Sequence, residues 1–271
     1  MPGYQGLIAE TINITGHNGD LIDAYLARPL GAGPFPGVVL IHHMPGWDDA
    51  TKGMAAKLAY HGYATISPNL HFREGKATPQ ENSASVAAAG GMPDDRTMAD
   101  VQASINHLRT LGYHNGKVGI IGFCSGGRQV YLAAGTLSGI DAAVDCWGGG
   151  VTASADQLTE RQPKAPIDFT AGISCPLLGL FGEDDGRPSP ADVTKTEEEL
   201  KRHNKDYEFY MYEGAGHGFF AVDRPGYRQH AATDGWQKVL AFYARHLGSS
   251  GGSNGQRAGQ AQSMERIAVA A

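Results

Sequence analysis

The sequence predicts an α/β protein: a mostly parallel central sheet, an antiparallel N-terminal edge and helices on both faces. Three observations carry this expectation. Short, continuous apolar runs, Gly37 to Ile41 and Pro176 to Phe181, read as strands covered on both sides. Segments of helical period lie between such runs, at Thr51–Tyr60, Asp94–Leu111, Ala191–His203 and Tyr227–His246. Ahead of them all, Leu7–Thr15 and Leu21–Ala27 alternate apolar and polar residues around His17-Asn18-Gly19-Asp20, whose Asn-Gly pair is a hairpin signal.

The remaining elements follow in order. Ala64-Thr65-Ile66-Ser67 reads as a strand that leaves through Pro68-Asn69-Leu70-His71-Phe72-Arg73, and Ala142 to Trp147 reads as another. Gly75 to Gly91 is Ala-, Ser- and Gly-rich with little pattern, and reads as a loop or weak helix. Val151 to Ser174, with Pro163 and Pro166, reads as an irregular insertion able to shape a pocket. Residues 1–247 form one expected domain. Gly248 to Asn254 reads as a Gly/Ser linker, and Gln256 to Ala271 as a flexible tail whose stretch Met264 to Ala270 is apolar enough to dock on a neighbour.

Composition narrows the function classes. With 271 residues, 41% hydrophobic, the chain is long enough to bury a full core. A net charge of -6 without a basic cluster argues against nucleic acid or an anionic membrane as partner and points to a small solute. The N-terminus lacks the charged and apolar regions of a signal peptide, and no apolar run reaches the roughly 20 residues that span a bilayer. Three cysteines, Cys124, Cys146 and Cys175, are an odd number without metal-ligand spacing, which fits a reduced compartment, and the expectation is cytoplasmic. No cofactor and no metal is expected. Adjacent His42 and His43 would point to opposite faces of a strand, so at most one enters a site.

Val118 to Phe123 is an apolar run that ends in Gly122-Phe123-Cys124-Ser125-Gly126-Gly127, with a helix-compatible segment from Arg128 to Ala134 behind it. This is the pattern of a nucleophile elbow, in which the glycines leave room for neighbouring backbone and the apex residue stands above the sheet. A helix start behind the apex supplies N–H groups and partial positive charge that favour a thiolate. Taken alone, the window also fits a buried structural cysteine in an ordinary Gly-rich turn. Ser125 is a nucleophile only if the apex shifts by one residue. Downstream, the strand Pro176–Phe181 runs into Gly182-Glu183-Asp184-Asp185, and Tyr207–Tyr212 runs into Gly214-Ala215-Gly216-His217-Gly218. Nucleophile, acid, then histidine, each after a later strand, is the order that elbow chemistry requires.

On these motifs, together with Asn115-Gly116-Lys117-Val118-Gly119 before the elbow, residues 5–247 resemble the dienelactone hydrolases (carboxymethylenebutenolidases), cysteine members of the α/β-hydrolase fold. The resemblance implies Cys124 as nucleophile, His217 as base and Asp185 as the residue that orients it, with Asp184 as the alternate acid. It also implies an oxyanion hole from the backbone N–H groups of Ser125 and Met44, and Arg73 as the holder of a substrate carboxylate. A place in aromatic degradation goes with it, as a monomer or homodimer. The sequence departs from the family in two places: His43 stands where better-known members carry a glutamate against the thiol, and Ala221 stands where they carry a second arginine, for which nearby Arg224 is the candidate replacement. The expected activity is hydrolysis of a small, carboxylate-bearing lactone or ester through a thioester. The alternatives are a hydrolase of neutral or xenobiotic esters, and a non-catalytic small-molecule binding protein of the same fold.

Overall fold

A computed structural model describes residues 6–75, 77–222, 224–248 and 263–268. Nine described strands form one sheet in the order β1-β2-β4-β3-β5-β6-β7-β8-β9. Strands β1 (Leu7–Thr15) and β2 (Leu21–Pro29) make the antiparallel hairpin, and β2 pairs antiparallel with β4 (Ala64–Pro68). From there β3 (Phe35–Ile41), β5 (His114–Phe123), β6 (Ala142–Cys146), β7 (Leu177–Gly182) and β8 (Tyr207–Tyr212) run parallel. At the hairpin turn Asn18 takes φ 54°, a left-handed conformation that asparagine tolerates better than most residues.

Strand period 2 explains why the apolar runs are continuous. In β3, Val39 and Ile41 pack on the face covered by α3 (Asp94–Thr110), α4 (Ser125–Thr136) and α5 (Pro190–Arg202). Val38 and Leu40 pack on the opposite face, under α1 (Asp49–Tyr60) and α6 (Gln229–Leu247). Both faces are dry, so neither set can be polar. No described helix is long and apolar enough to cross a membrane.

Within Gly75–Gly91, the second of the two readings holds: Pro79–Ala88 is a helix, α2, started by a reciprocal cap between Thr78 and Glu81. Thr-Pro-x-Glu is a readable start signal, a capping box with proline at the first helical position, whereas the weak apolar pattern behind it left loop and helix both open. The flexible tail differs from its expectation. Ser263–Ile267 forms β9 and pairs parallel with β8 from Glu208 to Tyr212. Its docking partner is therefore this chain's own sheet edge, whose N–H and C=O groups would otherwise stay unpaired. Alternation makes the strand fit, since Met264 reaches one core and Ile267 the other. Beyond Gly248, the Gly/Ser stretch and the tail up to residue 262 lie outside the described residues.

Truncation after Gly248 is expected to lower stability by about 2 kcal/mol, the scale of two partly buried aliphatic side chains, and to raise self-association through the opened β8 edge. A urea midpoint and light scattering on the truncated chain check both.

Candidate active site

The turn from β5 into α4 is held by backbone contact. A Cβ on Gly122 would lie 2.2 Å from the Gly126 carbonyl oxygen, and one on Gly126 would lie 2.2 Å from that of Ile41 on β3. Only glycine lets the helix start this close to two strands. Cys124, at the apex, is forced to φ 56°, ψ -119°, a conformation that costs a non-glycine residue about 1–3 kcal/mol. Its own peptide groups offset part of this, the N–H donating to Cys146 O at 3.0 Å and the C=O accepting from Gly127 N at 3.0 Å.

Three groups act on the Cys124 thiol: the imidazole of His217, the backbone N–H of Ser125 at the start of α4, and the backbone N–H of Met44 on the loop after β3. Burial pushes the thiol pKa up, but the hydrogen bond and charge of His217 and the two N–H groups outweigh it, and the net direction is down. The other cysteines show burial unopposed, with Cys175 pushed up to about 12 and Cys146 well above its usual value.

The acid and the histidine sit on adjacent loops that lock together. A Cβ on Gly182 would lie 2.3 Å from Ala215 O, while Asp184 N donates to Ala215 O at 2.9 Å and Glu183 N to Tyr212 O at 2.9 Å. This brings Asp185 Oδ2 to 2.8 Å from His217 Nδ1, and the second oxygen, Oδ1, accepts from Arg187 N at 2.8 Å. Asp185 is buried and Asp184 is exposed. For His217, burial lowers the pKa, but its hydrogen bonds to Asp185 and Cys124 and their charges raise it to about 10. Both directions favour a thiolate beside an imidazolium, with Nδ1–H donated to Asp185.

The residues expected around this triad are placed differently. His43 Nε2 lies 2.8 Å from Asp48 Oδ2, and Asp48 also caps α1 through Thr51 N at 2.9 Å. The imidazole thus ties the loop to a helix start, and His43 is absent from the groups that act on the thiol. Arg73 is the larger correction. Its Nε donates to Asp20 Oδ2 at 2.6 Å, Nη1 to Asp100 Oδ2 at 2.7 Å, and Nη2 to Asp100 Oδ1 at 3.2 Å and His17 O at 3.3 Å. Every nitrogen is used inside the protein, so no fork is left for a substrate carboxylate. Asp100, fully buried on α3, also accepts from His17 N at 2.7 Å, and the cluster pins the β1–β2 turn to α3. Arg224 is exposed on the turn after the histidine loop, and its guanidinium has no partner among the described residues.

Asp48 and Asp100 were not singled out from sequence. Asp100 carried a signal, an acid among the buried Met98, Val101 and Ile105 of an amphipathic helix, which demands a cationic partner. Asp48 carried one too, as an acidic N-cap. Beside the loop after β3 lies a cavity of about 510 Å³ lined by Trp47, Asn69, His71, Phe72, Arg73 and Asn82. Trp47 is its wall, fixed by donation from Nε1 to Ser67 O at 2.9 Å, whereas Trp147 and Phe219 are buried core. Among the described residues no group of His, Cys, Asp and Glu could hold a metal ion.

Comparison with known proteins shows the family and the fold. The sequence model of the dienelactone hydrolase family matches residues 22–247. A Methylorubrum extorquens protein called a "putative carboxymethylenebutenolidase" is 31% identical over 244 residues, 89% of this chain and 82% of its own. A Bradyrhizobium protein called a "probable 2-oxo-3-(5-oxofuran-2-ylidene)propanoate lactonase" is 29% identical over 233 residues, 86% and 92% of the two chains. Among solved structures, a "putative dienelactone hydrolase" from Klebsiella pneumoniae superposes with a TM-score of 0.80 at 31% identity, covering 89% of this chain and 99% of its own.

Alkylation of Cys124 by iodoacetamide is expected to titrate with a midpoint below the ordinary thiol value near 9. His217→Gln removes the charge and leaves burial less opposed, so the midpoint should rise. A variant midpoint at or below the parent's would contradict the ion pair.

Proposed function

Because the chain belongs to the dienelactone hydrolase family, whose members hydrolyse lactones and esters, we propose that it cleaves a small lactone or ester with Cys124 as nucleophile through a thioester. The observation that supports this best is the convergence of His217 and two backbone N–H groups on one sulfur. The thiolate attacks the carbonyl carbon, and the oxygen, now carrying the negative charge, takes up the N–H groups of Ser125 and Met44. Collapse of the tetrahedral adduct breaks the C–O bond, and His217 passes its proton to the departing alkoxide, leaving a thioester and a neutral imidazole. That imidazole then takes a proton from water, the hydroxide attacks the thioester, and the thiolate departs beside a restored imidazolium. Asp185 holds Nδ1–H throughout, keeping Nε2 toward the sulfur. An enol or aryl leaving group suits this site, since a thiolate is expelled from the adduct more readily than a strongly basic amide nitrogen.

The expected carboxylate on the substrate rested on Arg73, and that guanidinium is committed to Asp20 and Asp100. The second reading, a neutral ester or lactone, is therefore favoured over the first.

Cys124→Ala should abolish turnover of an aryl ester, and mass spectrometry of the parent during turnover should find the acyl group on Cys124. Asp185→Asn is expected to lower kcat by roughly 10³–10⁴, with Asp184→Asn close to the parent. The reverse order would move the acid by one residue. Arg73→Ala leaves Asp100 buried without its partner and should cost about 3–5 kcal/mol of stability, with KM changing alike for neutral and carboxylate-bearing esters. A rise in KM confined to the carboxylate-bearing ester would return Arg73 to the substrate.

A further inference from the structure

His42 directly follows β3, one residue before His43, is buried at 3% exposure, and uses both ring nitrogens. Nδ1 lies 2.9 Å from the His43 carbonyl oxygen, and Nε2 accepts from Leu70 N at 3.2 Å. A carbonyl only accepts and a backbone N–H only donates, so the tautomer is fixed, with the proton on Nδ1 and the lone pair on Nε2. The ring stays neutral, because burial and the edge-to-face neighbour His71 hold its pKa down to about 3.

The carbonyl that His42 grips belongs to the His43–Met44 peptide, and the N–H of that same peptide is one of the groups that lower the Cys124 thiol pKa. In a planar trans peptide the C=O and N–H point in opposite directions, so fixing the oxygen aims the hydrogen. Gly46 N donates to the same oxygen at 2.9 Å, and two donors on one carbonyl polarise its N–H further. The loop has no room to slide, since a Cβ on Gly46 would lie 2.8 Å from His71 Nδ1. Through Leu70 the ring is anchored to the segment after β4, outside the loop it positions.

We propose that His42 is a positioning residue for the oxyanion cradle, its Nδ1–H holding the His43 carbonyl so that the Met44 N–H points at the sulfur and at the oxyanion that forms beside it. The catalytic half of this role rests on the proposed thioester chemistry, whereas the contact with the resting sulfur does not.

The test compares three variants. His42→Asn keeps an amide N–H where Nδ1–H stands, His42→Gln places its amide nearer the position of Nε2, and His42→Leu keeps neither. For each, the pH midpoint of Cys124 alkylation, kcat and KM on an aryl ester, and Tm are measured. The expected result is that Gln and Leu raise the alkylation midpoint and lower kcat by about tenfold or more at nearly constant KM, with Asn recovering most of that loss. If Leu does not fold, the Asn and Gln pair decides. Equal kcat and equal midpoints in Asn and Gln, or losses that follow Tm alone, would overturn the role. Turnover surviving in Cys124→Ala would sink the thioester reading and not this one, because an unchanged alkylation midpoint in His42→Gln is what refutes the aim of the Met44 N–H.

Discussion

Where β5 turns into α4, backbone is pressed against backbone with no side chain between, and the rest of the site depends on that contact. The Gly122–Gly126–Ile41 approach sets the helix start directly over two strands, which fixes Cys124 in a left-handed conformation and lifts its sulfur above the sheet. The same approach puts the loop after β3 within one hydrogen bond of the sulfur, since β3 and β5 are neighbours in register from Gly37 to Ile41. A methyl group on either glycine would separate the two N–H donors of the cradle as well as the strand from the helix.

The electrostatics follow from that position. A sulfur this buried would by itself be a protonated, inert thiol, as Cys146 and Cys175 are. At Cys124 burial is still the largest single influence, yet it is outweighed because His217 and two backbone N–H groups act on the thiol together. His217 is subject to the same balance, with Asp185 and Cys124 together overcoming the cost of burying its charge. The low dielectric that penalises each charge alone strengthens their attraction as a pair.

Around this centre the histidines and the arginine act as fasteners. His43 joins its loop to the α1 cap, His42 joins it to the segment after β4, and Arg73 joins that segment to the β1–β2 turn and α3 through Asp20 and Asp100. An arginine buried against a carboxylate keeps its ion pair only while all partners are present, which explains why a residue suited to gripping an anion serves here as structure. The cavity beside this segment is lined by Trp47 and Phe72 together with polar and charged groups that include Asp23 and Arg73.

The fold and the candidate site residues Cys124, Asp185 and His217 were legible in the sequence because both rest on local chemistry. Period-2 and period-3.6 patterns mark strands and helices, and the glycines flanking Cys124, together with the acid and histidine after later strands, mark an elbow and its partners. Asp185 over Asp184 was legible only through family resemblance, and the geometry distinguishes them because one is buried against His217 Nδ1 and the other is exposed. What the tertiary structure alone decided are the long-range pairings. Whether Arg73 faces substrate or protein depends on where Asp100, 27 residues away on another helix, comes to rest, and whether His43 faces the thiol depends on the competing carboxylate of Asp48. The same is true of the tail, whose five-residue strand has too little apolar surface to declare itself, and which takes shape only because the sheet offers it an unpaired edge.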